Sequence, residues 1–173
     1  MKHESQTLNE AELVEGLYSF SEIYSKPYIP EKYINEIRNA QILLVPYENF
    51  RGRTDYFFPE QTHEIYEIIK EEASKNGVLT EICISDEEYQ ELELHAETVN
   101  IPVIIVTSFA FPIVVNAISY FLIKKLETYT IERNVNVNIT ITVEDKEGTK
   151  TIKYKGDMKH FDDAMKTIKR RLK

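Results

Sequence analysis

The sequence predicts an α/β protein: a small parallel three-stranded sheet with flanking helices, followed by a C-terminal β-hairpin–helix module. Three observations predict it. The runs Ile42–Val45, Leu79–Ile84 and Ile101–Val106 are apolar and nearly uninterrupted, as strands covered on both faces are. Segments of helical spacing alternate with them, the order that builds a parallel sheet through crossover connections. After Leu126 the apolar period drops to two: Val135, Val137, Ile139, Ile141 and Val143 alternate with Asn136, Asn138, Thr140 and Thr142.

In chain order, Asn9 is read as the cap of a helix over Glu10–Tyr18, with Leu13, Val14, Leu17 and Tyr18 as its stripe. Ser19–Tyr28 is aromatic and irregular. Pro30 opens a short helix over Glu31–Asn39, with Tyr33, Ile34 and Ile37 inward. The strand Ile42–Val45 ends at Pro46, and a loop runs from Tyr47 to Pro59. A helix follows over Glu60–Asn76, stopped by Gly77. Leu79–Ile84 is the second strand. The capping-box pattern Ser85-Asp86-Glu87-Glu88 predicts an acidic helix reaching about Ala96. Ile101–Val106 is the third strand and Pro112 opens the third long helix. The alternating strand then turns at Asp145–Gly148 and returns over Thr149–Lys155 with Ile152 and Tyr154 inward. Gly156-Asp157 starts a helix striped by Met158, Phe161, Met165, Ile168 and Leu172. Its acidic start and its basic end, Lys169–Lys173, match the helix dipole. The domain division this implies is 1–126 and 127–173, with the two parts free to pack as one unit.

Composition narrows the function classes. The 173 residues are 42% hydrophobic and 29% charged, as in a globular chain. A single cysteine, Cys83, excludes a disulfide framework and suits a reducing, cytoplasmic compartment. Its acidic neighbours Glu81 and Asp86 would not lower a thiol pKa, so it reads as buried and inert. The net charge of −8 is uneven: residues 1–97 hold 21 Asp and Glu against 8 Lys and Arg, a net of −13. Residues 124–173 hold 13 Lys and Arg against 8 Asp and Glu, a net of +5. An acidic body repels nucleic acid, so no nucleic-acid partner is expected.

Thr98–Ile123 is 26 residues without a charge, which raises a membrane span over residues 101–123. Pro102 and Pro112 divide it, Asn116, Ser119 and Tyr120 interrupt the second piece, and the flanking charges give an awkward topology. A buried strand followed by a buried helix fits better; a membrane-anchored component is the competing reading.

From Phe111 onward the layout is an apolar helix ending in Lys124-Lys125, an alternating strand, a glycine-containing turn, a second strand and an Asp-opened amphipathic helix. This resembles the effector-associated constant components of bacterial conflict and defence systems. The resemblance implies a shared adaptor that couples a sensor to an effector protein, with no catalytic residues of its own.

Candidate chemistry follows from the strand ends, because open parallel sheets bind ligands beyond the carboxyl ends of their strands. There stand Glu48 after the first strand, Asp86 after the second and Ser108 after the third, with Arg51 and Arg53 in the loop to pair with phosphate or carboxylate. Glu48 or Asp86 would serve as acid or base on a small polar ligand. The plainer account makes Ser85 and Asp86 a helix cap and the others loop surface. His63-Glu64-x-x-Glu67 lacks the second histidine of a zinc helix, so no metal site is expected. Five glycines cannot supply a phosphate loop or a dinucleotide fingerprint, so no cofactor is expected. Phe50, Tyr56, Phe57 and Phe58 are the candidate interface, with Phe57-Phe58-Pro59 expected to be exposed. The sequence thus favours a non-catalytic interaction subunit over a ligand-binding or enzymatic domain.

Overall fold

In the computed structural model, which describes residues 10–16, 18–94, 98–128 and 135–172, strands and helices interleave along the whole chain. The strands are β1 (Glu10–Glu15), β2 (Ile42–Val45), β3 (Phe58–Pro59), β4 (Thr80–Ile82), β5 (Glu91–Leu92), β6 (Thr98–Asn100), β7 (Val103–Thr107), β8 (Asn136–Asp145) and β9 (Gly148–Asp157). The helices are α1 (Phe20–Tyr24), α2 (Ile34–Asn39), α3 (Thr62–Ser74), α4 (Phe111–Glu127) and α5 (Phe161–Arg171). Single 3₁₀ turns stand at Glu31–Tyr33, Phe50–Gly52 and Met158–His160.

One mixed sheet carries the fold in the order β1-β9-β8-β7-β2-β4, with β6 also on β8. The α/β class is as predicted, but the three predicted strands are not all parallel. β2 and β4 run parallel, whereas β7 is antiparallel to β2, with Leu43 opposite Ile105. The cause lies in the connection. The predicted helix from Ser85 to Ala96 would have carried the chain back across the sheet. Only one turn forms there: Ser85 O accepts from Glu88 N and Tyr89 N at 3.2 and 3.0 Å, and the chain then enters β5. His95 and Ala96 lie outside the described residues. Lacking a crossover, the chain re-enters the sheet at the end it left, so β7 runs the other way.

A second correction concerns the start. Glu10–Glu15 is an edge strand rather than a helix, antiparallel to β9 with Leu13 opposite Ile152. Asn9, its predicted cap, and Leu17 lie outside the described residues. Gly16 ends this strand against the hairpin: an added Cβ would lie 1.8 Å from Thr149 Oγ1 and 2.8 Å from the Thr149 carbonyl carbon.

The neutral stretch becomes β6, a break at Ile101-Pro102, β7 and then α4. Proline lacks an N–H, which fits the gap between the two strands on the same edge of β8. Among the described residues no helix is long and apolar enough to cross a membrane. The C-terminal elements match their sequence pattern closely. β8 buries Val137, Ile139, Ile141 and Val143, β9 buries Ile152 and Tyr154, and α5 buries Phe161, Met165 and Ile168. The hairpin also joins the main sheet, because β8 pairs parallel with β7 on its other side.

The two faces of the sheet are covered differently. On one, α3, α4 and α5 pack over Ile42, Leu44, Ile104, Val106, Ile141 and Ile152. On the other, α1 and α2 cover only the β2–β7 region through Phe20, Ile23 and Ile37 over Leu43, Val45, Cys83 and Ile105.

Candidate functional site

Among the described residues β4 ends the sheet, and it borders a cleft of about 430 Å³. Cys83 N donates to Leu44 O at 2.9 Å, so odd-numbered residues of this strand point their peptide groups at β2. The peptide groups of Thr80 and Ile82 therefore point away from β2; Thr80 is buried, and Ile82 lines the cleft. Glu81, Ile82 and Ile84 form the floor of the cleft. Tyr33, from the turn before α2, stands on one side; His63 and Tyr66, from α3, stand on the other. Ser85, Asp86 and Tyr89, from the turn after β4, close the end.

Long-range contacts hold these walls. β3 and β5 form a two-stranded parallel ladder with Phe58 opposite Glu91. Gln90 Nε2 donates to Asp55 Oδ2 and Tyr56 O at 2.9 and 2.8 Å, and Tyr89 stacks on Phe58 with ring centres 5.2 Å apart. Gln61, which precedes α3 at a left-handed φ of 72°, makes no side-chain cap bond. The cap comes instead from Glu91: its Oε1 accepts from Gln61 N at 2.8 Å and its Oε2 from His63 N at 3.1 Å. Tyr89 OH donates to the same Oε2. One carboxylate thus ties the start of α3 to the wall formed by Tyr89.

Electrostatically the cleft is acidic. Burial pushes the Glu81 carboxyl above the usual carboxylate range; Lys70 opposes the shift and Glu36 adds to it. Burial likewise raises Tyr66, with Glu81 contributing. Tyr89 is raised by burial and by its bond to Glu91. Lys70 Nζ lies 5.4 Å from the Tyr66 ring centre and Lys32 Nζ 5.4 Å from that of Tyr33. His63 Nε2 stands 3.8 Å from Glu67 Oε1 on the exposed face of α3.

The structure separates the residues that strand-end reasoning grouped. Asp86 lines the cleft. Glu48 pairs with Lys26, Nζ to Oε2 3.1 Å, and is not among the residues lining it. Arg53 binds Asp55 through two bonds of 3.0 and 2.7 Å and lies over the Phe57 ring. Arg51, at a left-handed φ of 52°, lies 4.9 Å from the Phe50 ring centre. Ser108 stands at the opposite end of the sheet, because β7 runs against β2. It borders a separate hollow of about 150 Å³ with Phe111, Lys150 and Lys169.

The aromatic loop is also corrected. Phe57 and Phe58 are 1% and 0% exposed rather than outward-facing. Tyr47 N donates to Phe57 O at 2.8 Å, and Phe57 packs edge-on against Tyr47 and Phe50. Tyr56 turns onto Tyr28 with ring centres 5.0 Å apart. These rings fill the fold, and Phe50 and Tyr56 keep partial exposure. Cys83 is buried, and burial pushes its thiol up. Among the described residues no group of three or more His, Cys, Asp or Glu side chains is placed to hold a metal.

Sequence reasoning did not find Tyr33, Tyr66, Tyr89 or Glu81. They come from four separate segments, and they meet only because β4 is an edge strand. Comparison with protein-family models, with curated proteins and with solved structures finds no match for this chain.

Proposed function

We propose that the chain is a non-catalytic interaction subunit that receives a segment of a partner protein in the cleft beside β4. One observation carries this reading: the cleft runs along a sheet edge that no described strand covers. The outward peptide groups of Ile82 therefore stand beside a wall of tyrosines. Partners that add to a sheet edge gain affinity from main-chain bonds and specificity from side-chain pockets. Two groups suited to acid–base or nucleophilic work are engaged elsewhere. Glu48 is held by Lys26, and the Cys83 thiol is buried with a raised pKa.

The likeness of the last third to effector-associated constant components supports an adaptor role between a sensor and an effector. Bacterial antiphage defence inside the cytoplasm is the setting that this likeness implies. A photo-crosslinking residue at Tyr33 or Ser85 tests the reading in the native host. A single partner should be captured from both positions, and far less of it from Lys153 on the other half of the sheet. Capture from Lys153 with none at the cleft would overturn it.

A further inference from the structure

We infer that the segment received along β4 carries a lysine or arginine whose cationic head sits among Tyr33, Tyr66 and Tyr89, facing Glu81 and Asp86. The inference rests on the reading of the cleft as a partner-binding edge.

Three features argue for it. First, tyrosine faces attract cations through the ring quadrupole, more strongly where water is partly excluded. The rings here already do so: Lys32 and Lys70 each lie 5.4 Å from a cleft tyrosine, and neither lysine lines the cleft itself. Second, the cleft floor holds a half-buried carboxylate, Glu81, with Asp86 at its end. Glu87 and Glu88 follow on the same turn and Glu36 acts on Glu81 from α2, so carboxylates outnumber the two lysines, Lys32 and Lys70, that stand by the tyrosines.

Third, the two strands that end the sheet among the described residues, β1 and β4, differ. β1 also carries glutamates, but the register sets each opposite a lysine of β9: Glu10 with Lys155, Glu12 with Lys153, Glu15 with Lys150. Each acidic position of that strand thus has a basic position across the ladder. Glu81, which lines the cleft, stands opposite Leu43, so it has no cation across the ladder. Lys70 lowers the Glu81 pKa without reversing the upward shift. An edge strand with an acidic residue that has no cation across the ladder, beside aromatic side chains, suits an incoming strand with a positive side chain.

The test uses three fluorescein-labelled hexapeptides that alternate valine with lysine, glutamine or glutamate, measured by fluorescence anisotropy on the full chain. The lysine peptide should bind at least tenfold more tightly than the glutamine peptide, and the glutamate peptide should not bind. Glu81→Gln and Asp86→Asn should each weaken the lysine peptide several-fold more than the glutamine peptide, and an equal loss for both peptides would overturn the cation inference. Circular dichroism melts of both variants show that the fold is kept.

Equal binding of the lysine and glutamine peptides would overturn the cation inference and leave the strand-edge reading standing. Failure of all three would overturn both. Spermidine competing at the same concentration as the lysine peptide would make the cleft a small-amine pocket, and would also overturn the inference.

Discussion

Glu81 is the residue on which the chemistry of the cleft turns. Burial holds its carboxyl above the ordinary value, Lys70 opposes and Glu36 reinforces. Between the ordinary value and the raised one, the folded chain binds more protons at this site than the unfolded chain. Stability therefore falls as pH rises through that window, and the penalty is fully present above it. Glu81→Gln removes the penalty. The variant should melt above the wild type near neutral pH, and the gap should close below the ordinary carboxylate range, as followed by circular dichroism across a pH series. A variant that melts lower at neutral pH would mean that the attraction of Lys70 outweighs burial. The residue scale is also where sequence reading reached least. That Asp86 stands by the cleft follows from its place after a strand at its carboxyl end. Arg53 misled because Asp55, two residues on, supplies a local partner. The tyrosines carried no signal, since spacing along the chain does not show which strand will be left at an edge.

At the scale of elements, local propensity and tertiary pairing compete, and the failures mark where pairing won. Glu10-Ala-Glu-Leu-Val-Glu is rich in helix formers, yet pairing with the ten-residue β9 turns it into a strand. The capping box at Ser85 forms its first turn, but Gln90 and Glu91 are drawn to the Asp55–Phe58 segment and the helix goes no further. Elements whose own pattern agreed with their surroundings were legible to within a few residues: β2, α3, α4, the hairpin and α5. The diversion of Glu91 has a measurable consequence. Its carboxylate is the cap of α3, so Glu91→Ala leaves Gln61 N and His63 N without an acceptor and frees Tyr89 OH. Loss of a helix cap costs about 1–2 kcal/mol. Urea denaturation of Glu91→Ala should show that loss, with faster amide exchange confined to the first turn of α3. An unchanged midpoint would mean that solvent replaces the carboxylate at no cost.

At the scale of the molecule, the sequence leaves open whether residues 1–126 and 127–173 fold separately or together, and the sheet bears on the answer. β8 lies between β9 and β7, with Ile141 opposite both Ile152 and Ile104. One apolar cluster draws on α3 and α4 from the first part and on β8, β9 and α5 from the second. Cutting after residue 126 would expose the edge of β7 along with Ile104 and Val106, both fully buried in the whole chain. The hairpin and α5 alone would keep two strands and one helix, near the limit of what folds in water without further packing. The whole chain should therefore unfold in one cooperative step. Far-ultraviolet dichroism, which reports the backbone, and near-ultraviolet dichroism should give the same midpoint. The near-ultraviolet signal comes chiefly from tyrosines on both sides of the cut, among them Tyr28, Tyr89 and Tyr154. Residues 1–126 and 127–173, expressed apart, should each lack the dispersed amide spectrum of a folded chain. Two separate midpoints, or a folded spectrum from either fragment, would show that the shared sheet is a docking surface between two independent units.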